Sequence, residues 1–200
     1  MIGQATQSAF TKVYVVFLMT IFFWVYTLAG LVVLGIGPAL RAVTEMFMDN
    51  QWQYREYHFK AGWRQFKTDF WHVNLHSWTF LGIIAILVYN LYLSTQLKFS
   101  WILIVQFLII FAIALTFSMG IFTLLLRSRY DVSFKNAVKL AAAQFFDNFP
   151  RLLLFLVATI AVIAAAAKWP GLILFLAPGT YIVVANWFSR KWYTKIDQLL

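Results

Sequence analysis

Five long apolar blocks decide what this chain can become. They are Val13–Ile36, Leu75–Leu93, Trp101–Leu126, Leu152–Ala167 and Gly171–Trp187, and none contains an aspartate, glutamate, lysine or arginine. A helix rises about 1.5 Å per residue, so about 20 apolar residues cross the hydrocarbon of a bilayer. The backbone inside a bilayer must satisfy its own hydrogen bonds, and runs that are apolar throughout do so as helices. The fourth block is short and borrows a turn at each end. The blocks predict an all-α, polytopic membrane bundle of five transmembrane helices in one integral membrane domain, residues 1–200.

The rest of the composition agrees. Charged residues make up 12% of the chain, against about a quarter in ordinary soluble domains. There is no cysteine, which removes disulfides, thiol nucleophiles and thiolate metal sites. The first block is longer than a signal peptide and no small-residue cleavage site follows it.

The formal charge of +9 is distributed as a topology signal. Thirteen of the 16 lysines and arginines fall in residues 37–74, in 127–151 and in the tail, whereas Lys12, Lys98 and Lys168 fall on the alternate side of the spans. The positive-inside rule then puts the N-terminus outside and the C-terminus inside, with both long loops in the cytoplasm. Trp78, Trp101, Trp169 and Trp187 stand at span ends as interfacial anchors. This partition predicts a multi-pass plasma-membrane protein with no nucleic-acid partner.

"GIGPAL", residues 35–40, has the glycines of a phosphate cradle but lacks the following lysine and hydroxyl residue. It reads as a membrane exit: Gly35 and Gly37 end the first span and Pro38 starts a new helix. On that helix Arg41, Glu45 and Asp49 share one face, and Leu40, Val43 and Phe47 share another. The apolar face is expected at the lipid boundary or against the bundle.

Two further stretches are patterned as amphipathic helices. Phe59, Trp63, Phe66, Phe70 and Val73 form one helical stripe, flanked by Lys60, Arg64 and Lys67. Shifted by 75 residues, Phe134, Val138, Ala141 and Phe145 repeat it, flanked by Lys135 and Lys139. A repeat built on this shift would be parallel, since both units cross in the same sense. The two helices either lie on anionic lipid, at about 1 kcal/mol per basic residue, or dock a cytoplasmic partner. Lipid suits the first copy, whereas the small Ala141–Ala143 face of the second suits docking.

Three stretches together, "GIGPALRAV", "FKAGWRQFKTDF" and "FKNAVKLAAAQFFDNFPRLLLFL", make the chain resemble the YesL-like family of small bacterial integral membrane proteins of unassigned function. The resemblance covers nearly the whole length and implies a role near carbohydrate-uptake ABC systems, with no catalytic residues to carry over. The five-span arrangement also resembles the core of type I ABC importer permeases, whose loop after span 3 carries a helix that docks an ATPase. By that likeness the contact would be Lys135 to Phe146, although "KLAAAQFFDNFP" lacks the glutamate and glycine of the permease pattern.

Other side chains are candidates for sites. Asp69, His72 and His76 lie on one helix face, where two histidines four apart can chelate a metal. A third ligand would have to come from elsewhere, and the bland alternative is a set of wet interfacial tips. Asn90, Gln106, Thr116, Ser118, Thr123 and Thr159 either line a neutral path or hydrogen-bond between helices. Ala158, Ala161 and Ala165 form a small-residue face for close helix packing. Pro178 marks a helix break that either kinks the last span or exposes carbonyls to a substrate.

Neither a nucleophile–base pair nor a carboxylate pair is visible, so no enzyme activity and no cofactor is expected. The function expected is a non-catalytic subunit or accessory of a bacterial carbohydrate ABC importer. Its partners would be the lipid bilayer and ABC permease or ATPase subunits, or further copies of itself. The alternative is an oligomeric permease or channel for a neutral solute.

Overall fold

The computed structural model describes residues 2–99 and 101–198, which form nine α-helices and no strand. These are α1 (Ile2–Ala29), α2 (Ile36–Asn50), α3 (Phe59–Lys67), α4 (Phe70–Ser94), α5 (Ile102–Arg129), α6 (Phe134–Asp147), α7 (Phe149–Lys168), α8 (Gly171–Phe175) and α9 (Ala177–Asp197). Four stretches are helical, long and apolar enough to cross a membrane: Thr6–Ala29, Phe70–Ser94, Ile102–Arg129 and Phe149–Lys168. The fifth apolar block is broken at Leu176 into the five-residue α8 and the start of α9.

The first block also departs from its expected form. α1 stops at Ala29, well before Ile36, and the chain turns back through residues 30–35. Leu31 N–H donates to Leu28 and Val32 N–H to Thr27, the paired bonds of a Schellman cap. Leu31 and Val32 take the left-handed conformations, with φ of 58° and 62°. The glycines serve closeness rather than φ: a Cβ on Gly30 would collide with Gly35, and a Cβ on Gly35 with the Thr27 carbonyl.

α2 then runs back along α1. Ala39, Val43, Met46 and Phe47 are buried with Val15, Met19, Phe23 and Tyr26 in one core. At the far end Lys12 Nζ lies 5.8 Å from the Trp52 ring, and Tyr14 meets Tyr54 edge-on. The charge pattern had separated Lys12 from the 37–74 connection by a membrane. Direct contact brings them to the same end of the α1–α2 pair, because α2 returns the chain before α4 begins.

α5 and α6 make a second fold-back hairpin. Ala137, Ala141 and Phe145 of α6 are buried with Phe122, Leu125 and Leu126 of α5. Offset by 98 residues, these three positions are Ala39, Val43 and Phe47, also buried, and the helices end in matching "FMDN" and "FFDN". α6 therefore matches α2 in burial and in its closing residues, while at the 75-residue shift Gly62 and Phe66 of α3 are buried as well. Arg41 lies with Arg127, and Leu40 with Gly120 and Leu124, so α2 runs in the sense of α5. The two hairpins consequently close at opposite ends, and a repeat defined by them is not parallel.

The stripe from Phe59 to Val73 is two helices rather than one. The chain breaks at Thr68 and Asp69, the latter at φ 55°. α8 and α9 close the fold against α1: Trp24 Nε1 donates to the Ile173 carbonyl at 2.9 Å. Gly179 N–H donates to Thr20 Oγ1 at 3.1 Å.

Candidate functional site

Charge gathers where α2, α4 and α5 meet. The i, i+4 spacing of Arg41 and Glu45 on α2 brings them into a bond of 2.6 Å with both side chains mostly buried. Asp69, turned by its left-handed backbone, comes within 3.9 Å of Arg41. Arg127, near the end of α5, lies 2.6 Å from His76 Nδ1. Arginine only donates, so this contact needs a neutral imidazole with Nδ1 as acceptor. Phe134 stacks on the face of the His76 ring, at 3.7 Å between centroids and 2° between planes. Burial pushes the Glu45 carboxyl up from its ordinary value, and Arg41 only partly offsets this. The pair therefore fixes α2 at some cost in desolvation rather than adding much net stability.

Above this cluster opens an apolar trough of 240 Å³ between α2, α4 and α5, with Leu40, Phe80, Ile84, Phe117 and Ile121 among its walls. Asn74, Ser77 and the Trp78 indole supply its polar groups. Beyond the trough α4 and α5 are largely uncovered: Ile86, Tyr89, Tyr92, Leu103, Ile104 and Phe107 are each more than half exposed. Such a surface belongs against lipid or against other apolar helices.

The metal candidates do not assemble. Among the described residues no three histidine or acidic side chains come together to hold an ion. His72 is exposed and Asp69 faces Arg41, while His76 is held by Arg127 and Phe134.

The amphipathic helices are used mainly within the chain. On α3, Trp63 and Phe66 stack at 5.2 Å and both reach Tyr26 of α1. Tyr26 also donates to the Phe59 carbonyl at 2.9 Å. Lys60, Arg64 and Lys67 stay exposed, with Lys67 over the Trp63 ring. On α6, Ala141 is filled by α5, so the small face meets this chain's own helix. Lys135, Lys139, Ala143 and Phe146 remain exposed, and Val138 is half-buried.

The buried stripe of α7 runs through Leu152, Phe155, Thr159 and Ala166. Ala158 and Ala165 are half-buried at its margin, and Ala161 is exposed. Pro178 sits in the first turn of α9, where its missing N–H is free of consequence, and so starts a helix rather than kinking one. Asn90 and Thr159 donate to their own helices, at the Ile86 and Phe155 carbonyls.

Two functional neighbourhoods lay beyond sequence reasoning. Arg127 and His76 are 51 positions apart with no pattern linking them. The α6–α7–α9 junction depends on α9 crossing back to the loops, where Lys195 bonds Asp147 and Arg129 bonds Asp197. The "FMDN"–"FFDN" echo is the visible sequence signal that α2 and α6 end alike.

Residues 16–91, from α1 into α4, are similar to a family described as protein of unknown function, DUF624. No curated protein matches the chain, and no solved structure matches it.

Proposed function

We propose that this chain is a non-catalytic membrane subunit or accessory, working in the plasma membrane beside a bacterial carbohydrate ABC importer. The uncovered apolar length of α4 and α5 carries the reading. Their upper halves find few neighbours within the chain, which leaves an apolar helix face free to pack against a partner's helices where lipid does not cover it. The transport connection comes from the YesL-like resemblance, and Lys135, Lys139 and Phe146 are the exposed α6 side chains available to a cytoplasmic partner.

The orientation proposed with this reading differs from the five-span one. With α1 and α2 as a hairpin dipping into the bilayer, Lys12 joins the cytoplasmic set. Only Lys98 and Lys168 then lie outside, leaving fourteen of the 16 basic residues inside. That partition obeys the positive-inside rule better than the five-span one. The turn at residues 30–35 suits membrane depth, because Gly30, Leu31, Val32, Val33 and Gly35 all donate to nearby carbonyls.

Affinity purification of the intact protein in mild detergent tests the assignment. Stoichiometric permease or ATPase subunits should accompany it, and a homogeneous partner-free preparation would remove the accessory reading. Solute uptake by liposomes containing this chain alone would favour the autonomous permease instead. On that alternative the candidate path divides: Asn90 and Thr159 donate to their own helices, whereas the buried Ser118 and Thr123 hydroxyls find no partner.

A further inference from the structure

Where α6, α7 and α9 meet, a half-enclosed cleft of 70 Å³ is lined by Arg151, Lys191, Lys195 and one carboxylate, Asp147. Asp147 is already engaged, since Lys195 Nζ donates to both its oxygens at 2.7 Å. Two cations, Arg151 and Lys191, are left over. The Arg151 guanidinium is steadied above the Trp187 ring at 5.9 Å.

The cleft also holds donors that nothing in the protein accepts. Arg151 Nη1 and Trp192 Nε1 are both buried without a hydrogen-bond partner, as is one acceptor, Gln144 Oε1, and all three residues line the cleft. An unpartnered N–H shut away from water is unfavourable, most of all on a charged group. Guanidinium, indole N–H and ammonium have no acceptor capacity between them. What satisfies them together is an anionic oxygen cluster, and guanidinium geometry suits phosphate in particular. The cleft is too small for a nucleotide or a sugar, and Phe155 and Phe188 make its floor apolar.

We propose that this cleft binds a phosphate group, with Arg151 and Trp192 as the inner donors and Lys191 as the outer one. The same chemistry could be brought by the headgroup of an anionic glycerophospholipid or by free phosphate. The apolar floor favours the lipid.

The experiment uses the full chain in a neutral maltoside detergent, washed free of lipid. Phosphatidylglycerol and phosphatidylcholine are added in mixed micelles, and inorganic phosphate is added against chloride at equal ionic strength. Binding is read by native mass spectrometry and by thermal shift. Phosphatidylglycerol should bind at least tenfold tighter than phosphatidylcholine. Arg151→Gln and Lys191→Gln should each weaken it at least fivefold, while Lys168→Gln, at the other end of α7, should not. Saturable binding of inorganic phosphate that both variants lose would uphold the site with free phosphate as its ligand. Equal binding of the two lipids with no response to inorganic phosphate would overturn the proposal. So would undiminished binding in Lys191→Gln, whose exposed side chain can be changed without disturbing the fold.

Discussion

Replacing Gly35 by alanine should break the α1–α2 hairpin where its two helices come closest. The added Cβ would lie 2.7 Å from Thr27 Cα and 2.8 Å from Thr27 C, besides overlapping the Thr27 carbonyl oxygen. Carbon atoms sit comfortably about 3.5–4.0 Å apart, so α1 and α2 would have to separate by roughly 1 Å. All three obstructing atoms are backbone, and no side-chain rotation relieves the overlap. Overpacking of this kind costs about 1–3 kcal/mol. For a chain of this size each kcal/mol moves the midpoint by roughly 2–4 °C, so Gly35→Ala should lower Tm by about 2–12 °C. Gly82→Ala is the control, because nothing lies within 4 Å of a Cβ there and alanine is the better helix former. Thermal unfolding in detergent, followed by circular dichroism, gives both values. Equal stability of Gly35→Ala and Gly82→Ala would refute the close approach and the fold-back built on it.

Two other outcomes follow from the charged contacts. Glu45→Leu alone leaves a mostly buried Arg41 with only the 3.9 Å contact to Asp69 and should destabilise by about 3 kcal/mol, whereas adding Arg41→Met should recover most of it in chemical denaturation. At the C-terminus, the hydrogen bond from Tyr130 and the Arg129 contact hold the Asp197 carboxyl below its ordinary value. The stabilisation is therefore complete above about pH 4, the unfolded value, and fades as pH falls further. Hydrogen exchange should report loosening of residues 190–198 below that pH, and Asp197→Asn should loosen them at neutral pH as well.

Helix positions were largely legible in the sequence, because apolar block length and helical spacing both act locally. Phe59, Trp63 and Phe66 do share a face, and the apolar face of α2 does meet the bundle. Direction was less legible. An apolar run reads alike whether it crosses once or doubles back, and the glycine signal at Gly35 and Gly37 hid a turn made by Leu31 and Val32 at positive φ. Those conformations are costly for branched side chains and depend on the packing of α2 against α1, which no local pattern encodes. The same holds for Asp69, whose left-handed backbone splits an otherwise continuous stripe. Sites suffered most: His76 was visible as half of a metal pair, but its partners Arg127 and Phe134 come from a distant hairpin.

Cysteine accessibility in intact cells tests the fold-back most directly, since the chain has no native cysteine. Lys12, Lys60, Lys98 and Lys139 would each be replaced singly by cysteine and exposed to a membrane-impermeant maleimide. Lys98→Cys should react, while Lys12→Cys stays protected together with Lys60→Cys and Lys139→Cys until the membrane is opened. Reaction of Lys12→Cys alongside Lys98→Cys, with Lys60→Cys protected, would mean that α1 crosses outright and that α2 does not bring the chain home.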